Sequence, residues 1–457
     1  MQHIFPLFSL FLLQKTSVHA IFRKQHHKGS SMYLFSRQFF PFLATGFLGA
    51  FNDNIFRYAL SIMIAYQCSY TPEKASLLTF IATALLMFPQ FPFSALAGEM
   101  ADKYAQKKCF LWIKAIEIIL MLLTLFAFLF REIHILLLLL FLMGTQSAFF
   151  SPLKYSYIQR NTPNDLIRGN AYMNGATYIA ILSGMMLGIY LISRPVHATL
   201  YTGISLLLVS ISGLGAAFFI PDKPPVNPEL PLHLNPVKAT LPVLKLLLRT
   251  PILRKCAIGL SIFWMTGALY VSQLAPYCKN VLKVNTELVL FFTLLFSAGV
   301  ALGAFFCGFL RRKKNISSFI TPAIFLMALF TLDLFFASRN WSSFPGGGQD
   351  SLPGLFQCFS HLPFWRITGD LLLLAGCGGF YSVPLSALLQ KEAPGEALAR
   401  IVAGNNLQNA IFIVTGSLAA GMLIGGKLLS IEGLFILIAI LDVLTGIYLF
   451  SLRKYNC

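Results

Sequence analysis

The feature of this sequence that most restricts its fold is a series of apolar runs, each long enough to cross a lipid bilayer. A helix needs about 20 predominantly apolar residues to span the hydrocarbon core, and a backbone in lipid must form its hydrogen bonds internally. Charged residues make up only 11% of the 457, against about a quarter in soluble domains. The sequence therefore predicts an all-α polytopic membrane protein with twelve transmembrane helices, at 38–65, 73–97, 109–130, 133–153, 170–193, 198–220, 253–278, 286–310, 316–337, 365–389, 401–426 and 430–452.

The net charge of +18 could suggest a nucleic-acid partner, but the basic residues fall on alternate loops. With the N-terminus inside, 25 of the 35 lysines and arginines lie on the cytoplasmic side, eight lie outside, and Arg57 and Lys114 lie within helices. Cytoplasmic loops of membrane proteins carry this excess of positive charge. We therefore expect an integral membrane protein with both termini in the cytoplasm, and no nucleic-acid partner.

Two halves of the chain resemble each other on either side of a proline-rich interruption at 221–251. Pro152 and Leu153 match Pro384 and Leu385, and two asparagines four residues apart recur after them in each half. Many transporters are built from such repeats, with the substrate between them. The sequence predicts two pseudo-symmetric six-helix bundles, 32–220 and 252–457, joined by a cytoplasmic linker at 221–251. The repeated asparagines are Asn170 and Asn174 in the first half and Asn405 and Asn409 in the second.

The first 31 residues have an apolar stretch followed by small residues, like a signal peptide, but their positive charges come after the apolar stretch. A start at Met32 is the plainer alternative, and residues 1–31 are treated as an extension of uncertain status. The eight cysteines show no CxxC or Cys/His spacing. We expect no metal, no cofactor and no required disulfide.

The stretch GFLGAFNDNIFRYAL places polar residues inside the first apolar run. Ionisable side chains at bilayer depth are costly and normally face a bundle interior or a wet cavity. Asp53 and Arg57 are spaced i, i+4, which favours a local ion pair. Two alternatives stay open. Either this pair only holds helices together, or it forms, with Asn52 and Asn54, a polar patch that recognises a charged or zwitterionic headgroup.

Two further local patterns concern helix packing. Lys114 and Glu117 are spaced i, i+3 on one predicted helix and are interpreted as a structural ion pair. Two GxxxG sequences, Gly184/Gly188 and Gly421/Gly425, permit close approach of helices. We expect both glycine pairs to pack within the chain.

The short segment GEMADKYAQKK between the second and third spans is similar to the signature loop of the major facilitator superfamily. In such a turn a carboxylate can accept hydrogen bonds from helix-end N–H groups and pair with a cation, and so latch helices together in one conformational state. The alternative is an ordinary basic loop that sets topology. The candidate latch residues are Gly98, Asp102, Lys103, Lys107 and Lys108.

Several ordered segments resemble the bacterial lysophospholipid transporter family of that superfamily. They are GFLGAFNDNIFRYAL in the first span, FFSPLKYSYIQRNTP at the end of the fourth, LIRGNAYMNGATYIAILSG in the fifth and GLSIFWMTGALYVSQLAPYCKNVL in the seventh. Ser151 and Arg57 depart from the family pattern. The resemblance implies a major facilitator fold, a location in the bacterial inner membrane and a lysophospholipid substrate. The candidate substrate-binding residues are then Asn52, Asp53, Asn54, Arg57, Lys154, Asn170, Asn174, Asn405 and Asn409.

Three classes of function fit such a chain: a transporter, of which two kinds are open, a membrane enzyme, and a channel or scaffold. The favoured one is a monomeric secondary transporter that moves lysophospholipid from the outer to the inner leaflet by alternating access, functionally linked to an acyltransferase. A proton-linked exporter of drugs or small metabolites is the alternative, because an intramembrane Asp53 can serve as a proton site. An acyltransferase would need a His-x4-Asp pair, and none of the eight histidines has aspartate five positions on. A channel or scaffold is disfavoured by the repeat.

Overall fold

The structure is a computed structural model that describes residues 39–161, 166–225, 228–229, 241, 244–248, 250–310, 316–341, 352–393 and 398–454. The predicted extension at 1–31, much of the linker at 221–251 and the basic run Arg311–Lys314 lie outside these residues. The described residues form helices and connecting turns, without a β-strand. The α-helices are α1 Phe40–Ile62, α2 Pro72–Met87, α3 Gln90–Lys103, α4 Gln106–Phe130, α5 Ile133–Asn161, α6 Leu166–Ile192, α7 Ala198–Phe218, α8 Pro251–Pro276, α9 Thr286–Leu310, α10 Ile320–Arg339, α11 Leu355–Cys358, α12 Leu362–Glu392, α13 Leu398–Gly425 and α14 Ile431–Leu449.

The predicted membrane spans are all found as helices. Among the described residues, eleven helical segments are long and apolar enough to cross a membrane, and α2 with the start of α3 forms one of them, Pro72–Phe93. The first span, α1, is 23 residues long, or roughly 35 Å at 1.5 Å per residue. Its polar residues lower its mean hydropathy, and α1 is therefore not one of the eleven segments although it is long enough to span the membrane. The predicted all-α polytopic fold is therefore confirmed.

Helix ends differ from the predicted spans where polar residues continue a helix beyond the apolar run. The fourth predicted span ended at 153, but α5 continues to Asn161 through Pro152. The tenth ended at 389, but α12 continues to Glu392 through Pro384. Hydropathy marks where lipid ends, whereas backbone hydrogen bonding decides where the helix ends. The two matched prolines thus lie inside equivalent helices of the two halves.

Both GxxxG sequences mediate close helix packing within the chain, as predicted. A Cβ atom added at Gly184 or Gly188 of α6 would lie 2.5 Å from a backbone carbonyl oxygen of α1, that of Phe51 or Ile55 respectively. Gly421 and Gly425 of α13 instead face the Leu77 side chain of α2, in the other half of the chain. The second glycine pair therefore lies at a contact between the halves.

The tightest glycine contact joins α9 and α12 and gives a stability prediction. A Cβ atom at Gly303 would overlap the carbonyl oxygen of Gly376, so it could be accommodated only if the two helices moved apart. We expect Gly303→Ala to lower the stability of the folded protein by about 1–3 kcal/mol or more. The measurement is the melting temperature of the detergent-purified protein.

Gly369→Ala is the matched control, because nothing lies within 4 Å of a Cβ added at Gly369 of α12. It should melt at or slightly above the parent temperature, since alanine favours a helix more than glycine does. Equal melting temperatures for Gly303→Ala and Gly369→Ala would contradict the close α9–α12 contact.

The two halves meet through hydrogen bonds near the end of the molecule where α2 begins and α8 ends. The hydroxyls of Thr83 and Ser272 share a hydrogen bond of 2.7 Å, and both are buried. The Gln273 side-chain amide donates to the Thr79 hydroxyl over 3.1 Å and to the Ser76 carbonyl oxygen over 3.3 Å. In the predicted topology this end faces the outside of the cell.

Two π-helical turns mark the same end of the molecule, one in each half. They are Met63–Gln67, directly after α1, and Tyr277–Val281, directly after α8. The hydroxyl of Tyr66 in the first turn donates to the carbonyl oxygen of Val284, just beyond the second, over 3.0 Å. π-Helical turns are rare and frequently occur at functional sites. The paired turns thus join the halves at their contact.

Candidate functional site

The structure separates Asp53 and Arg57, which the i, i+4 spacing could have paired. The Ser147 hydroxyl of α5 donates to the Asp53 carboxylate over 2.6 Å. The Arg57 guanidinium instead donates to the Tyr58 hydroxyl over 3.1 Å and lies 4.9 Å from that ring centroid. The two charges form no ion pair with each other or with any other described residue. The alternative of a local self-neutralising pair is therefore wrong, because each side chain has a partner elsewhere.

A buried ion pair lies on α4, between Lys114 and Glu117. Lys114 and Glu117 are each about 1% exposed, and the Lys114 Nζ lies 2.6 Å from a carboxylate oxygen of Glu117. The predicted ion pair is therefore confirmed. Side-chain amides from two other helices also donate to Glu117, that of Asn52 on α1 over 2.9 Å and that of Gln146 on α5 over 3.1 Å. One carboxylate thus holds α1, α4 and α5 together.

Two glycines provide the space that the Lys114 ammonium occupies. A Cβ atom at Gly49 of α1 would lie 2.9 Å from Nζ, and one at Gly213 of α7 would lie 3.3 Å from it. The Phe150 ring centroid lies 5.8 Å from the same nitrogen. This surrounding of small and aromatic groups leaves Glu117 as the ion-pair partner of Lys114 among the described residues.

The polar stretch of α1 therefore contains residues with different surroundings. Asn52 is fully buried in the Glu117 network. The Asn54 amide donates back to the carbonyl oxygen of Ala50 over 2.7 Å. Asp53 is half-buried. Asn52 and Asn54 are thus engaged within the helix bundle, while Asp53 forms no ion pair with a cation of the described residues.

Lys154, on the same helix as Ser147, is a third charge that forms no ion pair with a described residue. It is half-buried, and its Nζ lies 4.8 Å from the Tyr155 ring centroid. No described carboxylate lies within ion-pair distance of it. The Tyr155 side chain also interacts with Asn406 of α13, in the second half. Lys154 thus lies next to a contact between the halves.

The repeated asparagines do not occupy equivalent environments. Asn174 on α6 is exposed, and the side chain of Asn170 lies outside the described part of the chain. In the second half both asparagines are buried: Asn409 accepts a hydrogen bond of 2.8 Å from the Ser261 hydroxyl of α8, and the Asn405 side-chain oxygen has no hydrogen-bond partner among the described residues. The matched sequence positions therefore do not form one symmetric polar cluster.

The GEMADKYAQKK segment joins α3 to α4 beside α5. The Cβ position of Gly98 lies 4.0 Å from Pro152, and the Ser156 hydroxyl lies 3.5 Å from the Asp102 carboxylate. Lys103 and Lys107 are half-buried, and Lys108 is exposed. The described contacts of Asp102 lie within the first half. Its role as a latch stays a prediction.

Sequence reasoning missed Gln146 and Ser147, which bind Glu117 and Asp53. The signal available was GTQSAFF, a polar interruption in the apolar run of the fourth span. The described residues contain no group of three or more His, Cys, Asp or Glu side chains that could hold a metal ion.

Comparisons with known proteins agree with the resemblance found in the sequence. The chain is 24% identical over 442 residues to the lysophospholipid transporter LplT of Enterobacter sp. (strain 638), an alignment that covers 94% of this chain and 100% of the relative. It is 25% identical to LplT of Klebsiella pneumoniae (strain 342), over 87% of this chain and 91% of the relative. These matches confirm the resemblance drawn from the motifs.

Solved structures show the same fold at low identity. The POT family transporter PepTSo superposes with a TM-score of 0.66 at 14% identity, covering 92% of this chain and 98% of that one. A bacterial metal transporter superposes with a TM-score of 0.59 at 12% identity, covering 91% and 98%. The sequence profile of the Major Facilitator Superfamily matches residues 42–347. On these grounds the chain is a membrane transporter and belongs to the Major Facilitator Superfamily.

Proposed function

We propose that this transporter carries lysophospholipids, and that it moves them from the outer to the inner leaflet of the cytoplasmic membrane. The observation that carries the proposal is the presence of a carboxylate, Asp53, and two cations, Arg57 and Lys154, that stay unpaired among the described residues of the helix bundle. Charges within a helix bundle that have no counter-ion in the protein are expected to serve a substrate. The relatives named lysophospholipid transporter support the lipid class.

The headgroup chemistry follows from the separation of these charges. Ser147, which holds Asp53, and Lys154 are seven residues apart on α5, or roughly 10 Å along the helix axis at 1.5 Å per residue. Seven residues are close to two turns, so both side chains project from the same side of α5. Asp53 would attract the ammonium of an ethanolamine headgroup, and Lys154 or Arg57 would bind its phosphate.

The proposed mechanism is alternating access by rocking of 32–220 against 252–457. The hydrogen bonds of Thr83 with Ser272 and of Gln273 with Thr79 support it, since they form a closed contact at one end of the molecule. A single-chain amphiphile would enter sideways between helices with its tail in an apolar crevice. The sequence has no GxxxxGK[ST] loop for ATP. The GEMADKYAQKK segment would act as the latch of one state.

In this proposal the chain is a transporter and carries out no enzymatic reaction itself. Lysophospholipid brought to the inner leaflet would be reacylated by a separate acyltransferase, to which this chain would be functionally linked. The transporter itself would act as a monomer.

The test compares lysophosphatidylethanolamine with lysophosphatidylglycerol, which has no cation. We expect Asp53→Asn to reduce transport of the ethanolamine lipid roughly tenfold more than that of the glycerol lipid, because a hydrogen bond to a charged group is worth about 1.5–3 kcal/mol. The measurement is uptake of each labelled lipid by spheroplasts of a transporter-deficient strain, with a small cationic drug alongside.

Lys154→Gln is the matched comparison, because it removes a cation that would bind the phosphate, and both lipids carry that phosphate. It should reduce uptake of the two lipids by similar factors. If Asp53→Asn also reduced both lipids equally, the ammonium role of Asp53 would be rejected. Transport of the drug but of neither lipid by the parent protein would favour the exporter.

A further inference from the structure

The outer surface of the first half contains a groove between α4 and α7. None of the proposed substrate-binding residues lines this groove. Its volume is about 340 Å³, within the range of small-ligand sites. The groove lies where α4 begins and α7 ends, which in the predicted topology is the cytoplasmic surface of the membrane. The lining residues are Lys108, Leu111, Trp112, Ala115, Leu214 and Phe218.

The two ends of the groove differ in chemistry. Lys108 lies in the first turn of α4, is exposed, and forms no ion pair with any described residue. One turn deeper, Trp112 is 71% exposed, and Phe218 on the facing helix is 57% exposed. The groove therefore has an unpaired cation at the membrane surface and apolar walls toward the bilayer interior, with Ala115 leaving room between the helices.

We propose that this groove binds a two-chain anionic phospholipid of the surrounding bilayer, with its phosphate at Lys108 and one acyl chain between Trp112 and Phe218. Charge complementarity identifies the occupant, because lysines at a membrane surface attract anionic lipids. A tryptophan one turn below the surface lysine fits the usual interfacial position of that residue. The lipid is a bound regulator or structural component, distinct from the transported molecule.

The test measures lipids that remain bound to the detergent-purified protein after incubation with phosphatidylglycerol or phosphatidylcholine, by native mass spectrometry. We expect the parent protein to retain phosphatidylglycerol in preference to phosphatidylcholine. Lys108→Gln should reduce that preference roughly fivefold, the effect of one surface lysine on an anionic lipid. Ala115→Phe should abolish retention by filling the groove while leaving Lys108 in place.

Lys391→Gln is the matched control, because Lys391 is exposed at the end of α12, at the same membrane surface, but does not line the groove. It should retain phosphatidylglycerol like the parent. A second readout is quenching of tryptophan fluorescence by brominated phosphatidylglycerol, which should be weaker in Trp112→Phe than in the parent, because only Trp264, Trp341 and Trp365 then remain.

Three outcomes would overturn the proposal. Equal retention of the two phospholipids by the parent would remove the charge argument. An equal loss of binding in Lys108→Gln and Lys391→Gln would show diffuse attraction to the surface. Displacement of phosphatidylglycerol by lysophosphatidylglycerol at equal concentration would assign the groove to the transported lipid.

Discussion

Glu117→Gln is expected to remove most of the folded protein from the membrane. The substitution keeps the shape of the side chain but leaves the Lys114 ammonium, about 1% exposed, without its counter-ion. Leaving one partner of a buried ion pair unpaired costs about 3–5 kcal/mol, a large part of the stability of most proteins. The measurement is the monodisperse fraction of a fluorescently tagged protein by size-exclusion chromatography.

Two further variants test this explanation. Lys114→Met together with Glu117→Gln should recover much of the folded yield, because a buried pair can often be replaced by neutral groups. Asp333→Asn breaks the pair of Asp333 with Arg366, which are 37% and 46% exposed, and should cost less than about 1 kcal/mol. Unchanged yield of Glu117→Gln would mean that the carboxylate does not hold the three helices together.

The second large effect concerns the contact between the halves. Thr83→Cys with Ser272→Cys, in a protein whose eight native cysteines are replaced, should form a disulfide when oxidised and stop transport. The two hydroxyl oxygens are 2.7 Å apart and buried, so cysteine sulfurs at these positions would lie close to each other, as a disulfide requires. The measurement is lysophospholipid uptake before and after addition of a reductant.

Each single cysteine variant is the control and should transport under both conditions. Full transport by the cross-linked protein would contradict alternating access, because the halves could then work without separating at this end. Loss of transport that a reductant does not reverse would point to a defect of the substitutions themselves.

The sequence predicted the helices well because hydropathy is a local property that each span carries by itself. It also predicted the pair of Lys114 and Glu117, whose partners are three residues apart on one helix. It did not predict that Glu117 also binds Asn52 and Gln146, since these contacts depend on how α1 and α5 cross α4. Tertiary contacts of this kind produce no periodic pattern in the sequence from which they could be predicted.

The same limit explains the outcome for Asp53 and Arg57. Their spacing permitted a local pair, but the Ser147 hydroxyl on another helix takes the carboxylate and the neighbouring Tyr58 takes the guanidinium. The repeated asparagines illustrate a second limit. Two halves with matching sequence can place the matched residues differently, as the exposed Asn174 and the buried Asn409 do.

Because Gly421 and Gly425 carry no side chains, the face that α13 turns toward Leu77 and Phe80 of α2 is smooth. Interlocked side chains would have to withdraw from one another, each with its own rotamer change, before two such helices could part. A smooth face adheres without interlocking, so the helices can separate and meet again in the same register. The resistance to opening would then come mainly from the few hydroxyl and amide bonds beside it, which water can replace one at a time. If the halves separate here as proposed, the turnover rate would be adjustable through those polar contacts, without repacking either helix bundle.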